Sequence, residues 1–300
     1  MYQGDIKKRI LVLSGLLVST LLIWVMPYVS SGDFNLSALG IEAFGQPTEV
    51  LTVTFLDVGQ GDASLIETPD GVQMLIDGGP DGTVLRRLAH ELPLFDRTLD
   101  IILGTHPDKD HIGGLVDVLK RYQVGQIITT ENTGETMVAS SYQKGLVQEG
   151  ALVTMARAGQ VYQLGASTTL TILAPKNDPV MLESNTASIV AKLSYGEIDF
   201  ILTGDAPSSI EEYIVSIYGD ALRTEVLKLG HHGSKTSSSE IFLDKVVPKF
   251  AVVSAGKDNS YGHPHKKVID AVSARGIEII STADSGSVTF ITDGVDLWLK

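Results

Sequence analysis

The sequence predicts an α/β protein, with mixed sheets covered by helices, set behind an N-terminal membrane segment. Three observations predict it. Short hairpin-like strands open the body, strand–helix alternation follows them, and a long uncharged apolar run precedes both. Hairpins followed by crossovers are the pattern of layered mixed sheets whose faces are closed by helices.

The N-terminal run comes first. Lys7, Lys8 and Arg9 precede residues 10–29, which are apolar apart from Ser14, Gly15, Ser19, Thr20 and Pro27. A helix of about 20 such residues crosses a bilayer core. Cations before the run, with Asp33 and Glu42 after it, direct the N-terminus to the cytoplasm and the body outside. Trp24 and Tyr28 suit the outer interface. The rival reading is a cleaved signal peptide, whose apolar region spans about 7–15 residues. No strong small-x-small cleavage site stands near residues 29–31, so an uncleaved anchor over 1–30 is the favoured expectation. Residues 31–49 mix Ser, Gly, Asn, Pro and Gln without periodicity and read as a linker.

The body, 50–300, reads as one domain. Strands are expected at 51–56, 64–67, 73–76, 101–104, 126–129, 169–173, 189–193, 200–202, 226–229, 250–253, 278–280, 288–291 and 295–299. Helices are expected at 83–91, 115–122, 140–148, 209–217, 240–246 and 267–274. In the second of these, Leu115, Val118, Leu119 and Tyr122 share one face. The net charge of −13 opposes general binding to phosphate backbones unless metals supply local positive charge. With no cysteine in 300 residues, disulfides, thiol nucleophiles and thiolate zinc sites are excluded.

Chemistry concentrates in Gly104-Thr105-His106-Pro107-Asp108-Lys109-Asp110-His111-Ile112-Gly113-Gly114. The segment lies between a buried strand and a helix, where open α/β sheets place their ligand sites. Imidazoles and carboxylates at this density suit a divalent cation such as zinc or manganese.

This segment resembles the metallo-β-lactamase superfamily signature His-x-His-x-Asp-His, with Asp108 in the place of the second His. Leu75-Ile76-Asp77-Gly78-Gly79, Leu202-Thr203-Gly204-Asp205 and Lys228-Leu229-Gly230-His231-His232-Gly233-Ser234 resemble the family's other motifs, in order. Phe55-Leu56-Asp57-Val58-Gly59-Gln60-Gly61-Asp62-Ala63, Asn185-Thr186-Ala187-Ser188 and Tyr261-Gly262-His263-Pro264-His265 are similar to the ComEC competence branch. The resemblance implies an αββα metallo-β-lactamase fold, two mixed β-sheets sandwiched by helices. It also implies two divalent metal ions, Zn2+ or Mn2+, and hydrolysis by a metal-bridging hydroxide. His106 and Asp108 would hold one metal and Asp110 with His111 the other, with Asp205 bridging. His231 is expected to complete the second site, with His232 as its rival, since consecutive side chains at a strand end seldom both point inward. Asp57, Asp62 and Asp77 are candidates to orient the histidines; the alternative is turn chemistry, which for Asp62 explains the residue about equally well. Asn185 stands where a third histidine is usual, so the first site is oxygen-rich and manganese competes with zinc. Asp110, Asp205 and His263 are the expected catalytic residues, His263 binding phosphate or protonating a leaving group. Ser234, Thr236, Ser237 and Ser238 could bind an anion or cap a helix. The expected substrate is an extracytoplasmic phosphodiester: DNA, RNA or an envelope polymer such as choline-bearing teichoic acid. A lactamase-like activity, a regulatory hydrolase of small nucleotides and a non-catalytic surface receptor are the alternatives.

Overall fold

The computed structural model describes residues 49–300; the expected membrane segment and almost all of the linker lie outside the described residues. Among the described residues no helix is long and apolar enough to cross a membrane. Two hairpins begin the chain, β1 (Leu51–Phe55), β2 (Ser64–Glu67) and β3 (Gln73–Ile76), and α1 (Thr83–Glu91) follows. Then come β4 (Thr98–Leu103), α2 (Lys109–Val118), β5 (Gln123–Thr129), α3 (Met137–Glu149) and β6 (Leu152–Met155). A second series runs β7 (Val161–Leu164), β8 (Thr168–Ala174), β9 (Val190–Tyr195), β10 (Ile198–Leu202), α4 (Ser208–Tyr218), β11 (Val226–Lys228), α5 (Glu240–Val246) and β12 (Phe250–Val253). The chain ends with α6 (Lys266–Ser273), β13 (Glu278–Ser281), the single turn α7 (Thr282–Ser285), β14 (Val288–Thr292) and β15 (Leu297–Leu299).

The strands form two sheets, ordered β15-β14-β1-β2-β3-β4-β5-β6 and β13-β12-β11-β10-β9-β8-β7. In both, hairpin pairing gives way to parallel pairing, from β3 through β6 and from β10 through β13. Apolar residues lie on both faces of the central strands because each sheet is covered twice. Between the sheets, Phe55, Phe200 and Phe250 pack around Phe290, with ring centroids 5.3–6.1 Å apart. On the outer face of the first sheet, Leu65, Leu75 and Ile102 meet Leu88 of α1, Leu115 of α2 and Tyr142 of α3. On the outer face of the second, Ile201 and Leu227 meet Ile214, Leu243 and Val272 of α4, α5 and α6. The order is helix, sheet, sheet, helix, as expected.

Two differences from the expected elements have physical causes. β6 and β7 are short edge strands whose Leu152, Met155 and Val161 are exposed; in β7 only Tyr162 and Leu164 face the core, too few to mark a strand in sequence. The helix expected at 115–122 begins at Lys109 instead, and the His106–His111 motif therefore continues into its first turn. Gly113 and Gly114, poor helix formers, are the reason. Gly78 N–H donates to His111 O at 2.7 Å, and Gly114 N–H to Gly79 O at 2.8 Å. A Cβ on Gly114 would overlap the Gly78 carbonyl, and one on Gly113 the Pro80 backbone. The glycines thus let α2 dock backbone-to-backbone on the loop after β3. Helix propensity alone would make Gly114→Ala stabilising by about 1 kcal/mol. The close approach predicts the opposite sign, a loss of about 1–3 kcal/mol, read as a lower urea midpoint.

Candidate metal centre

The C-terminal ends of the parallel strands carry the chemistry. Asp77 follows β3, His106 and Asp108 follow β4, Asp110 and His111 open α2, Asp205 follows β10, and His231 with His232 follows β11. Asp205, 3% exposed, is the point on which they converge. Its Oδ1 lies 3.1 Å from His111 Nε2. Its Oδ2 lies 3.5 Å from His232 Nε2, 3.7 Å from His231 Nε2 and 4.0 Å from His106 Nε2. His106 Nε2 is also 3.7 Å from Asp108 Oδ2, and His232 Nε2 is 3.3 Å from Asp110 Oδ2.

The opposite edges of these rings are fixed by hydrogen bonds. Asp77 holds a left-handed backbone, φ 58°, a strained conformation outside glycine that functional sites tend to keep. Its carboxylate accepts from Thr105 N at 2.8 Å, from Thr105 Oγ1 at 2.7 Å and from His111 Nδ1 at 2.7 Å. Thr105 Oγ1 in turn lies 3.0 Å from His106 Nδ1. With its hydrogen given to Asp77, Thr105 accepts from His106. Asp77 thereby assigns the proton of both rings to Nδ1 and turns both Nε2 lone pairs toward Asp205. His232 Nδ1 is held likewise, 2.9 Å from Ser254 O and 3.2 Å from Asp62 Oδ1. Asp62 pairs with the buried Lys228, whose Nζ also donates to Gly204 O at 3.2 Å.

Charge is concentrated here. Burial favours neutral imidazole and, with the neighbouring His111 charge, takes His106 down to about 4. Burial pulls His111 the same way, but Asp205, Asp77 and Asp62 overcome it and hold it well above the usual range. The same contest, won by Asp205 and Asp62, brings His232 up to about 9. Burial would raise Asp110, yet the His232 hydrogen bond and the His111 charge bring it down to about 2. Asp205 is likewise held well below the usual range, against its own burial, by His232 and His111.

A divalent cation fits this donor set. His106 Nε2, His111 Nε2 and Asp205 Oδ1 are buried, have no hydrogen-bond partner and face one another. Lone pairs aimed at a common space are satisfied by a cation and not by each other. Asp62, His111, Asp205 and His232 offer ligand atoms within 4.8 Å of one another. Within that group Asp62 sits on the Nδ1 side of both rings and is tied to Lys228, which suits an orienting carboxylate.

The structure brings together His106, Asp108, Asp110, His111, Asp205, Asp62, Asp77, His231 and His232. It corrects three expectations. First, both consecutive histidines face Asp205, because His231 and His232 adopt left-handed backbone, φ 50° and 55°, instead of a strand's alternation. His232, not His231, reaches Asp110. His231 stands on the His106 side, with Asn185 Nδ2 3.4 Å from its Nδ1. Second, Asp57 turns away from the cluster. Its carboxylate pairs with Arg87 at 2.5 Å and accepts from Gly59 N, so the turn reading holds. Third, of the two alternatives for Ser234, Thr236, Ser237 and Ser238, the capping one is not met, since none makes a side-chain cap hydrogen bond to α5. Ser234 Oγ lies 3.0 Å from Thr236 Oγ1, which lies 3.2 Å from His231 Nδ1, and Ser237 Oγ donates to Gly230 O at 2.6 Å. His263 stands at the rim, its ring 5.4 Å from His231 and 6.2 Å from His232, and burial beside them lowers it.

Several residues were not singled out from sequence. Thr105, Ser184 (donating to Asp108 Oδ1 at 2.7 Å) and Ser188 (accepting from Asp205 N at 3.2 Å) carry no signal of their own. Lys228 does carry one, a lysine at the end of an otherwise apolar strand. Glu211 of α4, also buried, accepts from Ser238 N at 2.6 Å and Ser239 N at 2.7 Å, and so anchors the loop behind the histidine pair.

Residues 56–257 match the metallo-beta-lactamase superfamily model, and the chain belongs to that superfamily. It is 29% identical over 257 residues to ComE operon protein 3 of Bacillus subtilis, which covers 79% of this chain and 32% of that protein. It is 33% identical to Competence protein ComA of Neisseria gonorrhoeae, over 81% of this chain and 33% of the relative. For Recombination protein 2 of Haemophilus influenzae the values are 33%, 82% and 29%. These relatives place it in the ComEC-like branch, and the chain spans about a third of their length. Among solved structures, the metallo-beta-lactamase fold protein YhfI from Bacillus subtilis superposes with a TM-score of 0.53 at 14% identity, over 80% of this chain and 99% of YhfI. The diiron β-hydroxylase CmlA from Streptomyces venezuelae gives 0.52 at 16% identity, over 78% of this chain and 53% of its own. Likenesses this remote show the fold alone.

Two outcomes follow from the geometry. Asp77→Asn presents a donor where Thr105 and His111 need an acceptor, and should weaken divalent-metal binding about 10–100-fold in a direct titration. Burial raises the Glu211 carboxyl to about 7 despite its two N–H partners. The folded state therefore retains a proton that the unfolded chain gives up near 4.5, and stability falls as pH rises from 4.5 to 7. Comparing urea unfolding of the wild type with Glu211→Gln across that window should isolate a decrement of up to roughly 3 kcal/mol. Equal slopes in the two proteins would refute it.

Proposed function

We propose that the protein is a dinuclear-metal-dependent hydrolase of phosphodiesters, a nuclease or phosphodiesterase, working outside the cytoplasm and anchored by residues 1–30. The observation that carries the reading is the convergence of four imidazole Nε2 atoms on the Asp205 carboxylate. We assign His106, Asp108 and His231 to one ion and Asp110, His111 and His232 to the other, with Asp205 shared. Divalent ions held there supply Lewis acidity and activate water at neutral pH.

The chain's own residues do the rest. Asp110 and Asp205 stay ionised at neutral pH and orient water by accepting its hydrogens. Asp77, Thr105 and Asp62 keep the histidine lone pairs pointed inward, so no reorganisation is needed during reaction. His263, outside the cluster, is placed to donate to a phosphate oxygen or to the departing oxygen. Nucleic acid is favoured because the relatives are named for competence and recombination. The net charge of −13 favours short or locally engaged strands over tight general binding.

The test is hydrolysis of bis-p-nitrophenyl phosphate with manganese and then zinc, beside a variant carrying His106→Ala and Asp110→Ala. Metal-dependent turnover that the variant loses is the expected result. Folded protein that binds two metals yet stays inert on this and on natural phosphodiesters would instead indicate a receptor or another ester. Protein binding no metal would overturn the reading. Because Asp108 and Asn185 replace imidazoles, metal analysis after expression in chelated medium and reloading should show manganese competing with zinc.

A further inference from the structure

Tyr261 lies in the loop between β12 and α6 and is 69% exposed. Its ring stacks on His263, centroids 5.9 Å apart and planes 24° from parallel. His263 in turn is 5.4 Å from His231 at the edge of the metal centre. The loop is held in place, which an idle exposed side chain would not require. Asn259 Nδ2 donates to Gly256 O at 2.8 Å and to His263 O at 2.6 Å, and its Oδ1 accepts from Tyr261 N at 3.2 Å and His263 N at 3.0 Å. Gly256 N donates to Gln60 Oε1 at 3.1 Å, tying the loop to the segment after β1. A rigid aromatic side chain loses little entropy when a ligand covers it.

We infer that Tyr261, stacked on His263, is a platform for the nucleobase flanking the scissile phosphodiester, and that it selects base-bearing substrates. The inference rests on the phosphodiesterase reading. The geometry favours a base over the choline of an envelope polymer. Two stacked rings offer one flat face, which suits a planar base, whereas a quaternary ammonium is best held by rings on several sides. The stack also continues outward from His263, to which we assign the phosphate or departing oxygen, so a nucleoside attached to that phosphate would come to Tyr261 next. The contact is made equally in ground state and transition state, and therefore acts on binding and not on the chemical step.

The experiment uses metal-loaded full-length protein, thymidylyl-thymidine, and the same dinucleotide with both bases replaced by hydrogen. Equilibrium binding and hydrolysis are measured for the wild type, Tyr261→Ala and Tyr261→Phe. Stacking of this kind contributes about 1–3 kcal/mol per base, so Tyr261→Ala should raise Kd and KM for the base-bearing dinucleotide by roughly 5–150-fold. The abasic compound and kcat should be unaffected, and Tyr261→Phe should restore wild-type values. A loss equal on both ligands, or no loss, would overturn the inference. If neither dinucleotide turned over, the phosphodiesterase reading would fail separately, and the Kd ratios would still decide the role of Tyr261.

Discussion

A buried carboxylate surrounded by four imidazole nitrogens is the constraint on which the rest of this structure depends. Asp205 sits where the two sheets' parallel strands end, and both of its oxygens face histidine Nε2 atoms. Without a cation such a cluster must take up protons, which is why His111 and His232 are drawn upward while Asp205 and Asp110 are drawn down. A fold that buries this much opposed charge needs a rigid frame, because a shift of a fraction of an ångström would leave charges unpaired. The frame is the docking of α2 on the loop after β3, made possible by Gly78, Gly113 and Gly114. Asp77 belongs to the same loop, so the contact that seats the helix also orients His106 and His111.

The strand framework and the ligand motifs were legible because both are local. A buried strand reads as an apolar run, and a ligand cluster reads as imidazoles and carboxylates too dense for a turn. The edge strands β6 and β7 were not legible, since Leu152, Met155 and Val161 are exposed and only Tyr162 and Leu164 of β7 face the core, too short a pattern to mark a strand. The pairing of His231 and His232 with different sides of Asp205 was hidden for a related reason. It depends on two successive left-handed residues, and neither is glycine. Strand logic sends alternate residues to opposite faces, and the turn after β11 obeys another geometry. Asp57 was left between two readings by the sequence: its acidic motif looks like part of the site, but Arg87 lies close enough to claim it.

Lys228 shows what the sequence signalled without explaining. A lysine 3% exposed is costly unless paired, and here it pairs with Asp62 and donates to the carbonyl of Gly204, next to Asp205. It therefore neutralises one carboxylate behind the histidines and leaves the inward ones to the imidazoles or to a cation. The negative charge that remains is directed at the cavity, where a cation would sit. Removing Lys228 would leave the Asp62 carboxylate buried and unpaired behind His111 and His232, a strongly destabilising change.

The same distribution bears on how an acidic protein would take the phosphate substrate proposed for it. The net charge of −13 repels a long polyanion. Attraction must then be short-ranged, from ions at Asp205, from the imidazole of His263, and from contacts indifferent to charge. An aromatic platform is such a contact, since stacking is little affected by the surrounding field. Tyr261 thus lies where an acidic phosphodiesterase of the kind we propose would need it, one ring beyond His263. On the proposed reading, recognition would fall to the base and chemistry to the metal ions.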